Sequence, residues 1–249
     1  MKIKNYKKDY DYTYTLGVFE TIEAIQERPN QIQQVYLHST SDKNKGCKII
    51  KELCEKYNIS YEIGDKIITR LAKKENCFAI AIINKYDMYL EKTSHVMLVN
   101  PSDMGNMGTI IRSMLGFGYK NLAIIKPGVD VFDPRVLRSS MGAIFKMNVE
   151  YFDTFEEYQK RYSDRDIYTL MLKGASNIHQ VQPKNNKLHT LVFGNESSGL
   201  PENYLTYGKS IFIPHSDEID SLNLSMAVGI TLMHFSKAQY IDKEILREF

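Results

Sequence analysis

Several short apolar segments in the second half of the sequence lack the alternation of apolar and polar residues that a half-exposed strand shows. The clearest are HVMLVN, LVFG and IFIP, which begin at His95, Leu191 and Ile211. Continuous apolar strands are typical of a parallel sheet that helices cover on both faces. Segments with helical spacing separate these strands along the chain, as they do in α/β folds. The second half is therefore predicted to be an α/β unit built around a parallel sheet.

The first half has an alternating pattern of its own. VFETIEAIQE and GCKIIKELCEKYNI repeat apolar residues at helical spacing, and IQQVYLH, SYEIG and CFAIAII have the composition of strands. These segments predict a smaller α/β unit of roughly 80 residues. The polar segment NKYDMYLEKTS, residues 84–94, is the predicted junction. We therefore divide the chain into a first domain at residues 1–92 and a second at residues 93–249.

Composition and cysteine content exclude several classes of protein. The chain is 43% hydrophobic and 25% charged, which is typical of a folded domain. No segment reaches 18 apolar residues, and the basic N-terminus has no apolar stretch, so we expect neither a membrane span nor a secretory signal. Cys47, Cys54 and Cys77 are odd in number and lack C-x-x-C spacing, which predicts a reducing, cytoplasmic location and no zinc site. Cys47 and Cys54 lie seven residues apart on a predicted helix and are expected to fill the core.

Three loops rich in Gly, Asn, Ser and Pro follow predicted strands of the second half. They are NPSDMGNMG, GNESSGLP and PHSDEIDSLN, and ligands of open parallel sheets bind beyond the carboxyl ends of the strands. None matches a dinucleotide-binding or P-loop pattern, and no metal-ligand spacing is present. Asn106 and Ser221 could instead be helix caps, with Gly108 and Gly199 in turns. The occurrence of three such loops at successive strand ends favours a binding site.

The ordered motifs N-x-G-T-I-I-R (106–112), G-N-E-x-x-G-L (194–200) and I-P…S-L-N-x-S-x-A (213–227) resemble those of the SpoU-type RNA ribose 2′-O-methyltransferases, in the SPOUT class. The segment RSSMGAIFKMNV between the first two is similar to a further family pattern. The resemblance extends from about His95 to the C-terminus. The first half resembles the L30e-like substrate-binding domain of many members.

This resemblance implies a fold, a cofactor and partners. The fold is a parallel sheet threaded into a deep trefoil knot, the cofactor is S-adenosylmethionine, and the enzyme is a homodimer. The substrate is RNA, and the L30e-like domain favours ribosomal RNA over tRNA. A tRNA 2′-O-methyltransferase, an antibiotic-resistance methyltransferase and a non-catalytic RNA-binding factor remain as alternatives. The first domain holds 16 Lys and Arg against 13 Asp and Glu, and we expect Lys73 and Lys74 there to contact phosphates.

The resemblance also implies roles for individual residues. Arg112, on a helix predicted from about Thr109, is implied to activate the ribose 2′-hydroxyl. Because guanidinium stays protonated near neutral pH, an alternative is that it binds the adjacent phosphate and lowers the pKa of the hydroxyl. The other implied catalytic residues are Asn106, Glu196, Ser221 and Asn223. The implied cofactor-binding residues are Leu170, Gly194, Asn195, Gly199, Ile213 and Leu222.

Two positions depart from the family pattern. Ser197 follows the glutamate where the family commonly has glycine, and His215 follows I-P where an apolar residue is common. The acidic pair Asp217 and Glu218 follows after Ser216. These departures could alter the cofactor rim or the contacts with RNA.

Overall fold

The structure, a computed structural model, describes residues 3–72, 76–182 and 187–236. The first half forms a four-stranded sheet in the order Tyr12–Tyr14, Ala79–Asn84, Ile32–Leu37 and Tyr61–Ile63, in which Ala79–Asn84 is antiparallel to the strand on either side. Lys73 and Lys74 lie outside the described residues. The elements of this half are β1 (Tyr12–Tyr14), α1 (Val18–Glu27), β2 (Ile32–Leu37), α2 (Lys45–Tyr57), β3 (Tyr61–Ile63), α3 (Asp65–Ala72) and β4 (Ala79–Asn84), with 3₁₀ turns at Pro29–Gln31 and Ser41–Lys43.

The second half forms a seven-stranded sheet whose pairings are all parallel. The order of its strands is Asn148–Phe152, Asn121–Ile125, His95–Val99, His189–Phe193, Asp166–Leu170, Lys209–Phe212 and Ser176–Asn177. This confirms the predicted α/β fold, while the trefoil knot, the L30e-like character of the first half and the domain limits stay predictions. The elements are β5 (His95–Val99), α4 (Met104–Gly116), β6 (Asn121–Ile125), α5 (Pro134–Ser139), β7 (Asn148–Phe152), α6 (Phe155–Arg161), β8 (Asp166–Leu170), β9 (Ser176–Asn177), β10 (His189–Phe193), β11 (Lys209–Phe212) and α7 (Leu224–Phe235), with 3₁₀ turns at Ala143–Lys146, Ile178–Gln180 and Glu202–Thr206.

Burial explains the apolar runs of the sequence. Every residue of β5 and β6 is buried, because helices pack on both faces of this sheet. Cys47 and Cys54 are buried free thiols, which confirms their prediction as core residues. Within the described residues, no helix is long and apolar enough to span a membrane, and no cluster of His, Cys, Asp and Glu could hold a metal ion.

Three predicted boundaries are wrong. Helix α4 begins at Met104 rather than near Thr109, because the Asp103 carboxylate caps it by accepting the Asn106 N–H at 2.6 Å. The segment PRVLRSSMGAIF predicts a helix from Pro134 to Phe145, but the helix ends at Ser139, since the two residues after Ser140 have φ values of 53° and 78°. The polar, tyrosine-rich residues from Lys2 to Thr15 predict a lead before the first helix, but Tyr12–Tyr14 form the buried strand β1.

The end of α5 joins the two halves of the molecule. A Cβ on Gly108 of α4 would overlap Ser139, lying 2.7 Å from its carbonyl carbon, so α4 and α5 pack with their backbones in contact. On the other side of the turn, a Cβ on Gly142 would lie 2.7 Å from the Cβ of Glu23 on α1. One short segment therefore packs against the second-half helix α4 and against the first-half helix α1.

We predict that Gly108→Ala lowers the free energy of unfolding by about 1–3 kcal/mol, because the added methyl group meets backbone that cannot rotate away. The matched variant is Gly116→Ala on the same helix, where a Cβ would meet nothing within 4 Å. That variant should leave stability unchanged or raise it by up to about 1 kcal/mol through helix propensity. Urea unfolding of the two variants measures the difference, and equal midpoints would contradict the prediction.

Candidate active site

The loop after β10 is held in a closed shape by its own backbone and by Asn195. The N–H groups of Asn195 and Gly199 each donate to the other residue's carbonyl, at 3.1 and 3.0 Å. The Asn195 side-chain oxygen accepts the N–H groups of Ser197 and Ser198, while its amide donates to the carbonyl of Asn100 at 2.7 Å. Asn195 therefore shapes the loop and fastens it to the end of β5.

Two glycines are required in this loop for different reasons. A Cβ on Gly194 would overlap the backbone of Gly199 and Leu200, because the loop folds directly over it. Gly199 has a φ of 67°, in the left-handed region that favours glycine, and a Cβ there would meet nothing within 4 Å. Gly194 thus permits close packing and Gly199 permits the turn.

The Glu196 carboxylate connects this loop to the start of α4. Its Oε2 accepts the N–H and the hydroxyl of Ser102 at 3.1 and 2.9 Å, and its Oε1 accepts the Asp103 N–H at 3.1 Å. Partial burial acts to raise the pKa of Glu196, but these hydrogen bonds outweigh it and hold the pKa below its usual range. Glu196 is therefore a structural anion at the centre of the site.

Asn106 joins all three motifs. Its amide donates to Glu196 Oε1 at 3.4 Å, and its side-chain oxygen accepts from the amide of Asn223 at 3.2 Å. The proposal of Asn106 as a helix cap is wrong, because Asp103 has that position. Asn223, and not Ser221, caps α7, since its side-chain oxygen accepts the Ser225 N–H at 2.9 Å. The side chains of Asn106, Glu196 and Asn223 form one network.

A cavity of about 600 Å³ opens beside this network. Eight of the predicted site residues line it, which are Leu170, Gly194, Asn195, Glu196, Gly199, Ile213, Ser221 and Leu222. Sequence reasoning missed the segment after β8, which adds Leu172 and Lys173 to the wall, and Glu202, which pairs with Lys173 at 2.7 Å. The signal was present, because β8 belongs to the same parallel sheet and its carboxyl end reaches the same edge.

Arg112 does not line the cavity. It is exposed on α4 and shares one face of that helix with Gly105, Thr109 and Gly116, at the spacing of successive turns. Among the described residues it has no hydrogen-bond or ion-pair partner, and its guanidinium carries a full charge. A group bound at this helix face would meet Arg112 directly.

The two departures from the family pattern lie at the cavity. Ser197 is exposed, and its φ is not in the left-handed region, so glycine is not required there. His215 is half-buried in the cavity wall, and its Nδ1–H donates to the carbonyl of Ile213 at 2.8 Å. This contact holds the imidazole against its own loop, so the larger side chain does not block the cavity.

Comparison with known proteins gives a consistent result. A sequence model of the SpoU rRNA Methylase family matches residues 93–233. A Lactobacillus gasseri protein named for RNA (cytidine(34)-2′-O)-methyltransferase activity is 31% identical over 152 residues, covering 59% of this chain and 82% of that protein. The 23S rRNA (adenosine(1067)-2′-O)-methyltransferase of Streptomyces azureus is 27% identical over 73% of this chain and 71% of its own length. The AdoMet-bound rRNA methyltransferase from Sinorhizobium meliloti shares the fold over 90% of this chain and 87% of its own, with a TM-score of 0.76 and 22% identity.

We predict that the amide resonances of Ser102 and Asp103 titrate with Glu196, at a midpoint below the ordinary glutamate pKa of about 4.3. Because the pKa is lowered in the folded state, the contact is present above that range and is lost as pH falls through the folded-state pKa. Nuclear magnetic resonance between pH 2 and 7 measures this. Glu196→Gln should abolish the titration of these resonances, and Glu202→Gln should leave it unchanged. A midpoint above about 4.3 in the wild type would contradict the prediction.

Proposed function

Because the chain belongs to the SpoU rRNA methylase family, we propose that it transfers the methyl group of S-adenosylmethionine to a ribose 2′-hydroxyl of ribosomal RNA. The observation that carries this proposal is the meeting of the three motif loops, where Glu196, Asn106 and Asn223 form one network beside a cavity.

The cavity fits the methyl donor. Its volume of about 600 Å³ is within the range of small-molecule sites. Leu170, Ile213 and Leu222 offer apolar surface to an adenine ring, and the loop around Gly194 offers backbone N–H and C=O groups to its polar edge. When bound, S-adenosylmethionine supplies an electrophilic methyl group on its sulfonium. The AdoMet in the related Sinorhizobium meliloti structure supports the same donor here.

The residues of this chain would act mainly by positioning. Glu196 and Asn195 fix the loop that forms one wall of the cavity, and Asn106 and Asn223 fix the ends of two helices against it. Arg112 would bind the phosphate next to the target ribose and stabilise the developing charge on the 2′-oxygen, with its own proton retained, so that the hydroxyl proton passes to water or to the phosphate. Methyl transfer requires in-line placement, so precise holding of the ribose supplies a large part of the rate.

Ribosomal RNA is the substrate that the domain organisation favours. The Streptomyces azureus relative, named for 23S rRNA, matches a larger share of this chain than the relative named for cytidine 34. The additional first half carries a small excess of basic residues, which suits a large structured RNA. A tRNA substrate remains the alternative, and the experiment below separates the two.

We expect a labelled methyl group from S-adenosylmethionine to appear in ribosomal RNA, and not tRNA, taken from a strain lacking this gene. The labelled nucleotide should be followed by a phosphodiester bond that resists alkaline cleavage, because a methylated 2′-oxygen cannot attack the adjacent phosphate. Arg112→Ala should lower the rate about 10²-fold or more with donor binding unchanged. The rate of the Arg112→Lys variant should lie between those of the wild type and of Arg112→Ala, since lysine retains the charge without the guanidinium fork.

Lys160→Ala removes an exposed cation on α6 and is the matched control, with wild-type activity expected. Label in tRNA alone would show that tRNA, and not ribosomal RNA, is the substrate. Absence of label with RNA still bound would support a non-catalytic RNA-binding factor and contradict the proposal.

The homodimer is also part of the proposal, and α7 supports it. Met226, Ile230 and Met233 lie on one face of this helix and are 59%, 38% and 61% exposed. The helix contains no Asp, Glu, Lys or Arg. An uncharged apolar face of this kind is self-complementary about a two-fold axis.

We predict that Ile230→Asp yields a monomer, because a charge would be buried at the centre of the contact. Light scattering across protein concentrations measures the mass. Ile63→Asp, at an exposed apolar residue on β3, should leave the dimer intact. A wild-type protein that is monomeric at all concentrations would contradict the proposed dimer.

A further inference from the structure

Met141 has a backbone conformation that methionine does not favour. The N–H groups of Met141 and Gly142 donate to the carbonyls of Arg138 and Leu137, the pattern that closes a helix with a left-handed residue. Glycine is the usual residue there, yet Met141 has a φ of 53° and leaves its side chain 40% exposed. The left-handed backbone is costly for a methionine, and burial of the thioether in the core does not compensate for it.

A second exposed apolar side chain lies across the domain junction. Phe19, on the first turn of α1, is 66% exposed. Its neighbour Glu20 lies against Gly142, whose added Cβ would be 3.1 Å from the Glu20 Cα. Phe19 and Met141 therefore flank the same contact between α1 and the turn after α5, with one side chain on each half of the molecule.

Arginines border this apolar pair. Arg135 and Arg138 are exposed one turn apart on α5. Arg135 is paired with Asp133, whereas Arg138 has no ion-pair partner among the described residues. Burial raises the pKa of Glu20 and the charge of Arg138 acts against that rise, so this guanidinium lies near the start of α1. Ser139, the residue after Arg138, packs against Gly108 of α4. Gly108 lies one helical turn before Arg112.

Helix α4 packs against α5, and the turn after α5 packs against α1. In that order of elements, Arg112 is exposed on α4, Arg138 on α5, Met141 in the turn and Phe19 on α1. Guanidinium groups beside flat or polarisable side chains suit single-stranded RNA, whose phosphates and bases require those two kinds of partner. This surface is less suited to a second copy of the chain, because a two-fold contact centred on it would bring the arginines of both copies together. The uncharged face of α7 has no such conflict.

We propose that Phe19 and Met141 form a stacking platform for an unpaired base next to the target nucleotide, with Arg138 binding the phosphate beside that base. This inference rests on the proposed function, since the RNA that it binds is the substrate of the same site. The platform joins the two halves of the protein, so it positions RNA held by the first half for reaction in the second. Met141 and Phe19 are thus determinants of RNA recognition and do not contact the reacting atoms.

The test uses Met141→Gly and Phe19→Ala in the full-length chain, with ribosomal RNA from a strain lacking the gene as the probe. Met141→Gly removes the side chain and satisfies the left-handed backbone, so its thermal stability should equal or exceed that of the wild type. Each variant should bind the RNA about tenfold more weakly, as expected for one lost stacking contact, with unchanged affinity for S-adenosylmethionine. Phe19→Trp should restore binding, because it retains a stacking face.

Tyr89→Ala is the matched control, since Tyr89 is 65% exposed and lies in the segment that joins the two halves, and it should bind RNA normally. Wild-type RNA affinity in both Met141→Gly and Phe19→Ala would overturn the platform while methyl transfer by the wild type remained. A change of either variant from dimer to monomer would overturn it in favour of a contact between copies. Absence of methyl transfer by the wild type would contradict the proposed function itself.

Discussion

The carboxylate of Glu196 is the interaction on which the site depends. It accepts hydrogen bonds from the two backbone N–H groups that precede α4 and from the hydroxyl of Ser102. Those N–H groups would otherwise lack partners at the start of a helix, where the helix dipole also favours an anion. One side chain from the loop after β10 thereby fixes both the loop and α4. The cavity and the exposed face with Arg112 keep their relative positions because this contact exists.

The packing of α5 has a comparable effect on a larger scale. Gly108 lets α5 approach the backbone of α4, and Gly142 lets the turn after α5 approach α1. Both contacts exclude any side chain, so they set the spacing between the two sheets with little freedom. Thr13 strengthens the junction with a buried hydrogen bond to the carbonyl of Phe132. A surface that spans this junction, such as the one with Phe19, is therefore preorganised for a ligand.

Much of the fold and of the site could be predicted from local patterns. The buried strands and the loops after β5, β10 and β11 followed from apolar runs and from residues that terminate them. The errors have local physical causes, since Asp103 starts α4 earlier than the apolar spacing indicates, and Met141 ends α5 in a conformation that methionine rarely adopts. The wall after β8 was missed because its residues, Leu172 and Lys173, match no motif.

The sequence by itself determined the parallel α/β architecture, the strand-end loops and the family, because these depend on local spacing and on ordered motifs. Only the tertiary structure decided which side chains meet. Ser102 and Glu196 are 94 residues apart in the chain and share a hydrogen bond, and Asn106 meets Asn223 across 117 residues. Such contacts depend on the path of the chain through the sheet, and local propensity carries no information about that path. The separation of Arg112 from the cavity, on the outer face of α4, was decided in the same way.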